Sequence, residues 1–471
     1  MRTSFTTASA ALLTSLTLGC GTFTILDPNN PSEADLLANP TPSKISVAGT
    51  GLFVGARAGV TGTIWILGSY GREGVRLLGN NQPDYQEPFI GPIQQQKGVA
   101  WGAEYTNIRS ANIFLAAIEK TGQLSAAQKA AGIGLAQTLK GLAMFKIISA
   151  RGKLGAPVDV GRSLSADPAP FVTERGVYDY IRALLDSAET NLNAGASAEF
   201  PLVLPEGFAD FNTPGEFVKF TRALSAKAEV FNGSTGCGAT CFQRALTKLG
   251  QSYLTLDPAS LGFGPAYDFS SRAGDAPNNL SDPLNGADFF ALQGNKTAAQ
   301  RKPNDDLDQR ALDKITDATR DPPQTVGGFP ITGELKFTNY LAGGRSNTSA
   351  PIPILKNEEL ILLRAEANIG LGSNAAAVAD LNFVREAAGG LAPAAINAGS
   401  TKAELLGELL YNRRYSLLWE QGARWIDARR YNLLSTIEVV VPGGAVPAEI
   451  PVPDAECAAR SLTNNCRPLG N

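Results

Sequence analysis

Between residues 412 and 431 the chain reads Asn-Arg-Arg-Tyr-Ser-Leu-Leu-Trp-Glu-Gln-Gly-Ala-Arg-Trp-Ile-Asp-Ala-Arg-Arg-Tyr, so that Arg413, Arg414, Glu420, Arg424, Asp427, Arg429 and Arg430 are interleaved with Leu417, Leu418, Trp419 and Trp425. Two chemistries are open to such a run. A carboxylate among guanidinium groups can serve acid–base catalysis, or the charges can neutralise one another inside a core, because an unpaired buried charge is strongly unfavourable. Structural ion pairs outnumber catalytic ones. The favoured reading is therefore a salt-bridged helix, with Arg424 paired to Asp427 and both tryptophans in the core. The chain has no histidine, which removes serine and cysteine triads, two-histidine zinc motifs and imidazole catalysis. Carboxylate-pair chemistry of the glycosidase kind survives, and 44 acidic residues leave it open.

A second set of residues has the chemistry of sugar recognition, in which an aromatic ring stacks on the apolar face of a pyranose while amides and guanidinium groups take the hydroxyls. Tyr70, Arg72, Asn80, Asn81 and Tyr85 fall in one irregular stretch, and Tyr267, Phe269, Phe289 and Phe290 in another. Each is more often loop packing than ligand contact, and they are chosen on side-chain chemistry alone. Two further motifs rank low. Gly49-x-Gly51-x3-Gly55 has the wrong spacing for a dinucleotide loop and is followed by no alternation of strands and helices. Asn304-Asp-Asp-Leu-Asp308 lacks the glycine and the bidentate glutamate of an EF-hand. No cofactor or metal is expected.

The ends of the chain speak of export. Arg2, the apolar run Ala8 to Leu18, and Gly19-Cys20 have the order of a lipoprotein leader, with cleavage before Cys20 and acylation of its thiol, although Thr17 stands where leucine is usual. No later run offers about eighteen uninterrupted apolar residues. With Cys20 lipidated, four cysteines remain, and they form two local pairs, Cys237 with Cys241 and Cys457 with Cys466, as expected of disulfides in an oxidising compartment. A net charge of −3 from 41 basic and 44 acidic residues is no footprint for nucleic acid.

What must position these residues is mostly helix. Apolar residues recur at three- and four-residue steps over 104–119 (Tyr105, Ile108, Leu115, Ile118), 126–150 (Leu135, Leu139, Leu142, Phe145), 174–193 (Val177, Tyr178, Ile181, Leu185, Leu192, with Thr173 as N-cap), 215–232 and 242–254. Helices resume at 357–371, 375–388 and 402–421. Gly132, Gly134 and Gly141 weaken the second of these helices and so point to close helix contact. A Gly-rich helix is expected over 46–55. Long irregular insertions are expected at about 66–100 and 258–350, rich in Gly, Pro, Asn and Asp, and a small β-hairpin at 437–453. The fold class is mainly α, a tetratricopeptide-like helical-repeat scaffold, organised as a leader over residues 1–19 and one domain over 20–471.

The 412–431 run resembles the C-terminal signature of the SusD/RagB family of outer-membrane nutrient-binding lipoproteins, roughly Glu-Arg-Arg-x-Glu-Leu-x-Phe-Glu-Gly-x-Arg-Trp-x-Asp-Leu-Arg-Arg. Asn412 and Ser416 stand here for two family glutamates, and one extra residue separates Glu420 from Arg424. Other segments are similar in the same order: Trp101-x3-Tyr105-x2-Ile108-x3-Asn112, Gly155-Ala-Pro157, Tyr178-x2-Ile181 with Asp186-Ser-Ala188, Arg364-Ala-Glu366-Ala, Leu381-Asn382-x-Val384-Arg385, and Ile450-Pro-Val-Pro453 with Asn464-Asn465. The resemblance implies four tetratricopeptide-like units with ligand-facing loops between them. It implies a lipid-anchored protein of the outer membrane, at the cell surface, that binds an oligosaccharide or peptide and hands it to a TonB-dependent, SusC-like barrel transporter. It implies no catalysis. A carboxylate-dependent glycosidase and a helical-repeat lipoprotein scaffold for protein contacts are the alternatives.

Overall fold

The computed structural model describes residues 32–163 and 165–470; the expected leader, its cleavage site and Cys20 lie outside the described residues. Three helices open the fold, α1 (Glu33–Ala38), α2 (Pro42–Arg57) and α3 (Val60–Tyr70), followed by β1 (Gly74–Arg76) and α4 (Gln82–Gln86). Next come α5 (Gly102–Lys120), α6 (Ala126–Arg151), the strands β2 (Ala156–Pro157) and β3 (Phe171–Val172), then α7 (Glu174–Ala194), α8 (Pro214–Asn232) and α9 (Ala239–Gly250). The starts of these helices are written locally. Ser125 and Gln128 form a reciprocal capping box on α6, Thr173 caps α7, and Thr213 caps α8 ahead of Pro214. Consecutive helices from α5 to α9 pack on one another in chain order, with α2 against α5. The α6 glycines permit the closest of these contacts. A Cβ on Gly134 would lie 2.7 Å from Leu192 and 2.8 Å from the Ala188 carbonyl, and one on Gly141 would lie 2.8 Å from Leu185.

The central part of the chain contributes β4 (Ala266–Tyr267), β5 (Phe289–Ala291), α10 (Gln293–Thr297), α11 (Gln309–Lys314), β6 (Ile315–Asp317), β7 (Leu335–Phe337), β8 (Leu341–Ala342), β9 (Arg345–Ser346) and β10 (Ile352–Pro353). The last part returns to helix with α12 (Asn357–Leu371), α13 (Asn374–Gly389), α14 (Lys402–Ser416), α15 (Ala423–Arg430) and α16 (Asp454–Ala459). Helices α12, α13 and α14 pack together, and α12 joins them to α9. The main apolar core runs through the sequence from Leu36 to Cys466. The fold is thus mainly α and tetratricopeptide-like, as expected.

Three expectations need correction. The first long insertion is not irregular from residue 66, since α3 runs to Tyr70 and β1 joins an antiparallel sheet in the order β1-β5-β7-β6. That sheet unites the two insertions, with Val75 opposite Phe290 and both fully buried. Second, the 402–421 helix ends at Ser416. Trp419 and Gly422 take left-handed backbone conformations, with φ of 59° and 64°, and α15 starts afresh in a new direction. Third, the 437–453 hairpin does not form, and no strand is assigned there. Pro442 and Pro447 lack N–H donors, and the carbonyls of Glu438 and Ala445 are taken instead by the guanidinium of Arg72, at 3.1 and 2.8 Å.

Candidate functional site

The charged run of α14 and α15 closes on itself around two buried carboxylates. Glu366 of α12 accepts from Arg430 at 2.7 Å, from Tyr431 at 2.5 Å and from Arg413. Asp427 pairs with Arg430 at 2.7 Å and with Arg413 at 3.0 Å. Burial would raise Glu366, but Arg430 and Arg413 outweigh it and hold the carboxyl below its usual range. Glu420 is treated likewise: burial raises it, while Lys314 at 2.7 Å and Lys356 at 3.0 Å bring it down. All four oxygens of Glu366 and Asp427 are engaged by cations, which suits a clamp between helices.

The partners differ from those expected. Arg424 does not pair with Asp427; it donates to the Gly71 carbonyl at 2.9 Å and to Glu438 at 2.8 Å. Arg414 reaches Gly294 O at 2.9 Å and Asn295 Oδ1 at 3.1 Å. Arg429 has no carboxylate partner among the described residues; it donates to Ala150 O at 2.7 Å and to Ser149 O, and lies over Trp425. Asn412 and Ser416, in place of the family glutamates, both contact Arg310, at 2.9 and 3.1 Å, while Asp308 supplies the charge to that guanidinium at 2.7 Å. Trp419 and Trp425 are fully buried, as the apolar pattern predicts.

The sugar-recognition candidates are placed very differently from expectation. Tyr70, Arg72, Tyr85, Tyr267, Phe269, Phe289 and Phe290 are all buried; Asn80 is exposed and Asn81 half-buried at the entry to α4. Tyr85 packs on Phe329, Phe289 on Trp419, and Phe290 under Lys336. The shared sheet carries Phe289 and Phe290 inward, while Tyr70 ends α3 against Trp425 and Tyr267 lies on β4, paired to β10, under Lys146. Among the described residues Phe263, at 37%, is the only aromatic exposed by more than a third. Gly49, Gly51 and Gly55 lie within α2 and form no phosphate loop. Asp308 turns inward to Arg310, away from the exposed Asn304 and Asp306. Both cysteine pairs are joined, with Cα–Cα distances of 5.8 Å.

A cleft that sequence reasoning missed lies beside the signature helix. It has a volume of about 500 Å³, within the range of small-molecule sites. Its apolar wall is Ile90, Pro92, Ile93, Leu154, Pro447 and Pro451, and its polar rim is Gln94, Glu449, Asn465 and Arg467. Four devices hold it open. The Glu87 carboxylate accepts the N–H groups of Gln95 at 2.7 Å and Gln96 at 3.1 Å, which cinches the loop bearing Ile90 to Gln94. The buried Arg72 donates to the carbonyls of Ser69, Pro88 and Ala445, each at 2.8 Å, and so ties α3 to two walls at once. Burial first, then Arg424, lower its pKa to about 10. Trp425 Nε1 donates to Pro447 O at 2.7 Å. The Cys457–Cys466 bond fixes the tail that carries Asn465 and Arg467, and Arg467 pairs with Glu449 across the rim. The alternation of Ile450 and Val452 with Glu449 and Pro451 was a legible sign of an extended wall with one face inward; both hydrophobics are fully buried.

Comparison with known proteins agrees with this architecture. Residues 285–459 match the model of the SusD family. No curated protein matches the chain in sequence. Solved structures similar to it include a SusD superfamily protein from Parabacteroides distasonis, with a TM-score of 0.66 and 15% identity over 88% of this chain and 98% of that one. Another, from Bacteroides thetaiotaomicron, gives a TM-score of 0.65 and 14% identity over 90% of this chain and all of that one (100%). A SusD-like carbohydrate binding protein from Bacteroides fragilis gives 0.64 and 15% over 84% and 87%. Residues 285–459 thus match the SusD family model, and over most of its length the chain carries the fold of the SusD superfamily structures that it resembles.

Proposed function

We propose that this protein is a lipid-anchored nutrient-binding protein of the outer membrane that captures an oligosaccharide or other nutrient in the cleft between the 87–96 loop and the C-terminal tail, and passes it to a TonB-dependent barrel transporter. The observation that carries the reading is the SusD-family match over 285–459 on a SusD-superfamily fold, joined to a leader with the order of a lipobox. Carbohydrate as ligand class is supported by the similarity to a SusD-like carbohydrate binding protein, not by aromatic platforms, which are buried here. Apolar walls with an amide, guanidinium and carboxylate rim accept sugar hydroxyls and peptide groups alike. The protein is read as a binder, not an enzyme, because its two central buried carboxylates are neutralised by cations.

The test is calorimetric titration of the purified mature protein with panels of neutral and acidic oligosaccharides and with a tryptic peptide digest, with chromatography of each mixture afterwards. Binding without cleavage is expected. Ala448 is exposed and lines the cleft, so Ala448→Trp should weaken binding at least about tenfold, equivalent to about 1.4 kcal/mol, at unchanged melting temperature. Cleavage products would revive the carboxylate glycosidase. Indifference to every panel would favour the protein-contact scaffold.

A further inference from the structure

The α8–α9 connection holds a feature that ligand capture does not use. Cys237 and Cys241 are bonded across a tight turn in which Gly236 has φ of 139° and Gly238 has φ of 68°. Cys237 is half-buried, whereas Cys241 is fully buried as the third residue of the twelve-residue helix α9. Arg244, one turn further along α9, places Nη2 2.9 Å from Cys241 Sγ and 3.7 Å from Cys237 Sγ. The charged groups around the turn are Arg244, Glu229 of α8, which accepts from Arg244 at 3.1 Å, Arg182 of α7, 4.0 Å from Glu229, and Arg430 of α15, which donates to Ser234 Oγ at 2.5 Å. Arg182 is also held by Asp179 at 2.8 Å, and Arg430 by Glu366 and Asp427, so Arg244 is the cation that reaches the Cys241 sulfur. The other disulfide differs: no cationic side chain donates to Cys457 or Cys466 among the described residues.

These surroundings favour one direction of thiol–disulfide exchange. A sulfur leaves faster as its thiol becomes more acidic, and a cation together with a helix N-terminus makes a thiol more acidic. We propose that Cys237–Cys241 is an exchange-competent disulfide, attacked by an external dithiol at the accessible Cys237 Sγ with Cys241 as the leaving thiolate, while Cys457–Cys466 is purely structural. In the first step a thiolate of the dithiol forms a bond to Cys237 Sγ, the Cys237–Cys241 bond breaks, and its electron pair remains on Cys241 beside Arg244. In the second, the other thiolate of the reductant attacks its own sulfur in the mixed disulfide. Cys237 is released and takes up a proton, and the reductant departs as a cyclic disulfide, so that two electrons and two protons have passed from dithiol to protein once Cys241 is protonated. This inference is independent of what the cleft binds.

The mature protein is incubated with excess dithiothreitol, and in parallel with reduced glutathione, trapped at successive times with an alkylating agent, and both cysteine pairs are quantified by peptide mass spectrometry. Cys237–Cys241 should open at least about tenfold faster than Cys457–Cys466, and glutathione should be found as a mixed disulfide on Cys237 rather than Cys241. Arg244→Gln should erase most of the rate difference and Arg244→Lys should restore it. Should Arg244→Gln fail to fold, Glu229→Gln serves instead, and it should speed opening by freeing the guanidinium for the sulfur. A separate readout is the thiolate absorbance of Cys241 in Cys237→Ser, whose midpoint should lie below the ordinary value of about 8.5. Equal opening rates for the two pairs, glutathione on Cys241, or a midpoint at or above the ordinary value would each overturn the proposal.

Discussion

Glu73 sits just after α3, and its carboxylate accepts the N–H of Trp419 at 2.8 Å and of Arg424 at 3.4 Å, so one side chain pins the strap between α14 and α15. Burial raises its pKa to about 7 from an ordinary 4.5, and the two backbone bonds and Arg424 only partly offset it. The folded state therefore holds a proton that the unfolded chain gives up between pH 4.5 and about 7. A raised acid pKa lowers stability as pH climbs through that window, by roughly 3 kcal/mol at the upper end. Glu73→Gln removes this contribution. Urea unfolding of both proteins at pH 4.5, 6 and 8 should show the variant gaining on the parent with pH, and parallel stabilities would contradict the assignment. Nothing in the sequence marks Glu73, because its partners are backbone groups nearly 350 positions away. Trp419 and Trp425 were legible, since large apolar side chains inside a charged run have few places to go but a core. The Arg424–Asp427 pairing was misread because helical spacing offers Asp427 an arginine at three residues on either side: it takes Arg430 and, through the tertiary fold, Arg413, while Arg424 turns to Glu438 and the Gly71 carbonyl.

Most helices were legible in outline because their caps and apolar periods are local, as at Ser125, Thr173 and Thr401. Breaks made by tertiary contact were not. The 402–421 run has helical periodicity throughout, yet it ends at Ser416 so that Trp419 can stack on Phe337 at 4.1 Å and Gly422 can approach α3. A Cβ on Gly422 would collide with Leu67 and lie 3.1 Å from Gly68 N, at a φ of 64°. Gly422→Ala should therefore lose roughly 2–3 kcal/mol through backbone strain and collision. Gly407→Ala, inside α14 with open space around it, should gain up to about 1 kcal/mol. Chemical denaturation of the two variants separates these signs. If both shift the same way, the left-handed turn is not what separates α14 from α15. The absent hairpin at 437–453 belongs to this scale too: its β-branched run was visible, but the capture of its carbonyls by Arg72 was not.

For the whole molecule, the ordered series of motifs from Trp101 to Asn465 outlined a helical scaffold with two insertions, and the structure has that form. The insertions were read as open loops because their composition is polar and turn-rich. Their pairing into one sheet is a long-range event that composition does not encode, and it draws Phe289 and Phe290 inward. What remains open is the cleft beside α15, walled by the 87–96 loop, the 445–451 segment and the disulfide-bound tail. Its walls are tied to the signature helix by Trp425 and to α3 by Arg72, which connects the best-marked part of the sequence to the candidate ligand site. Hydrogen exchange read by mass spectrometry, with and without the oligosaccharide panel that gives heat on titration, tests this most directly. Slowed exchange should be confined to peptides covering 88–96 and 445–452 and should vanish in Ala448→Trp. Protection confined to 258–350, with the cleft peptides unchanged, would contradict the assignment of the ligand to this cleft.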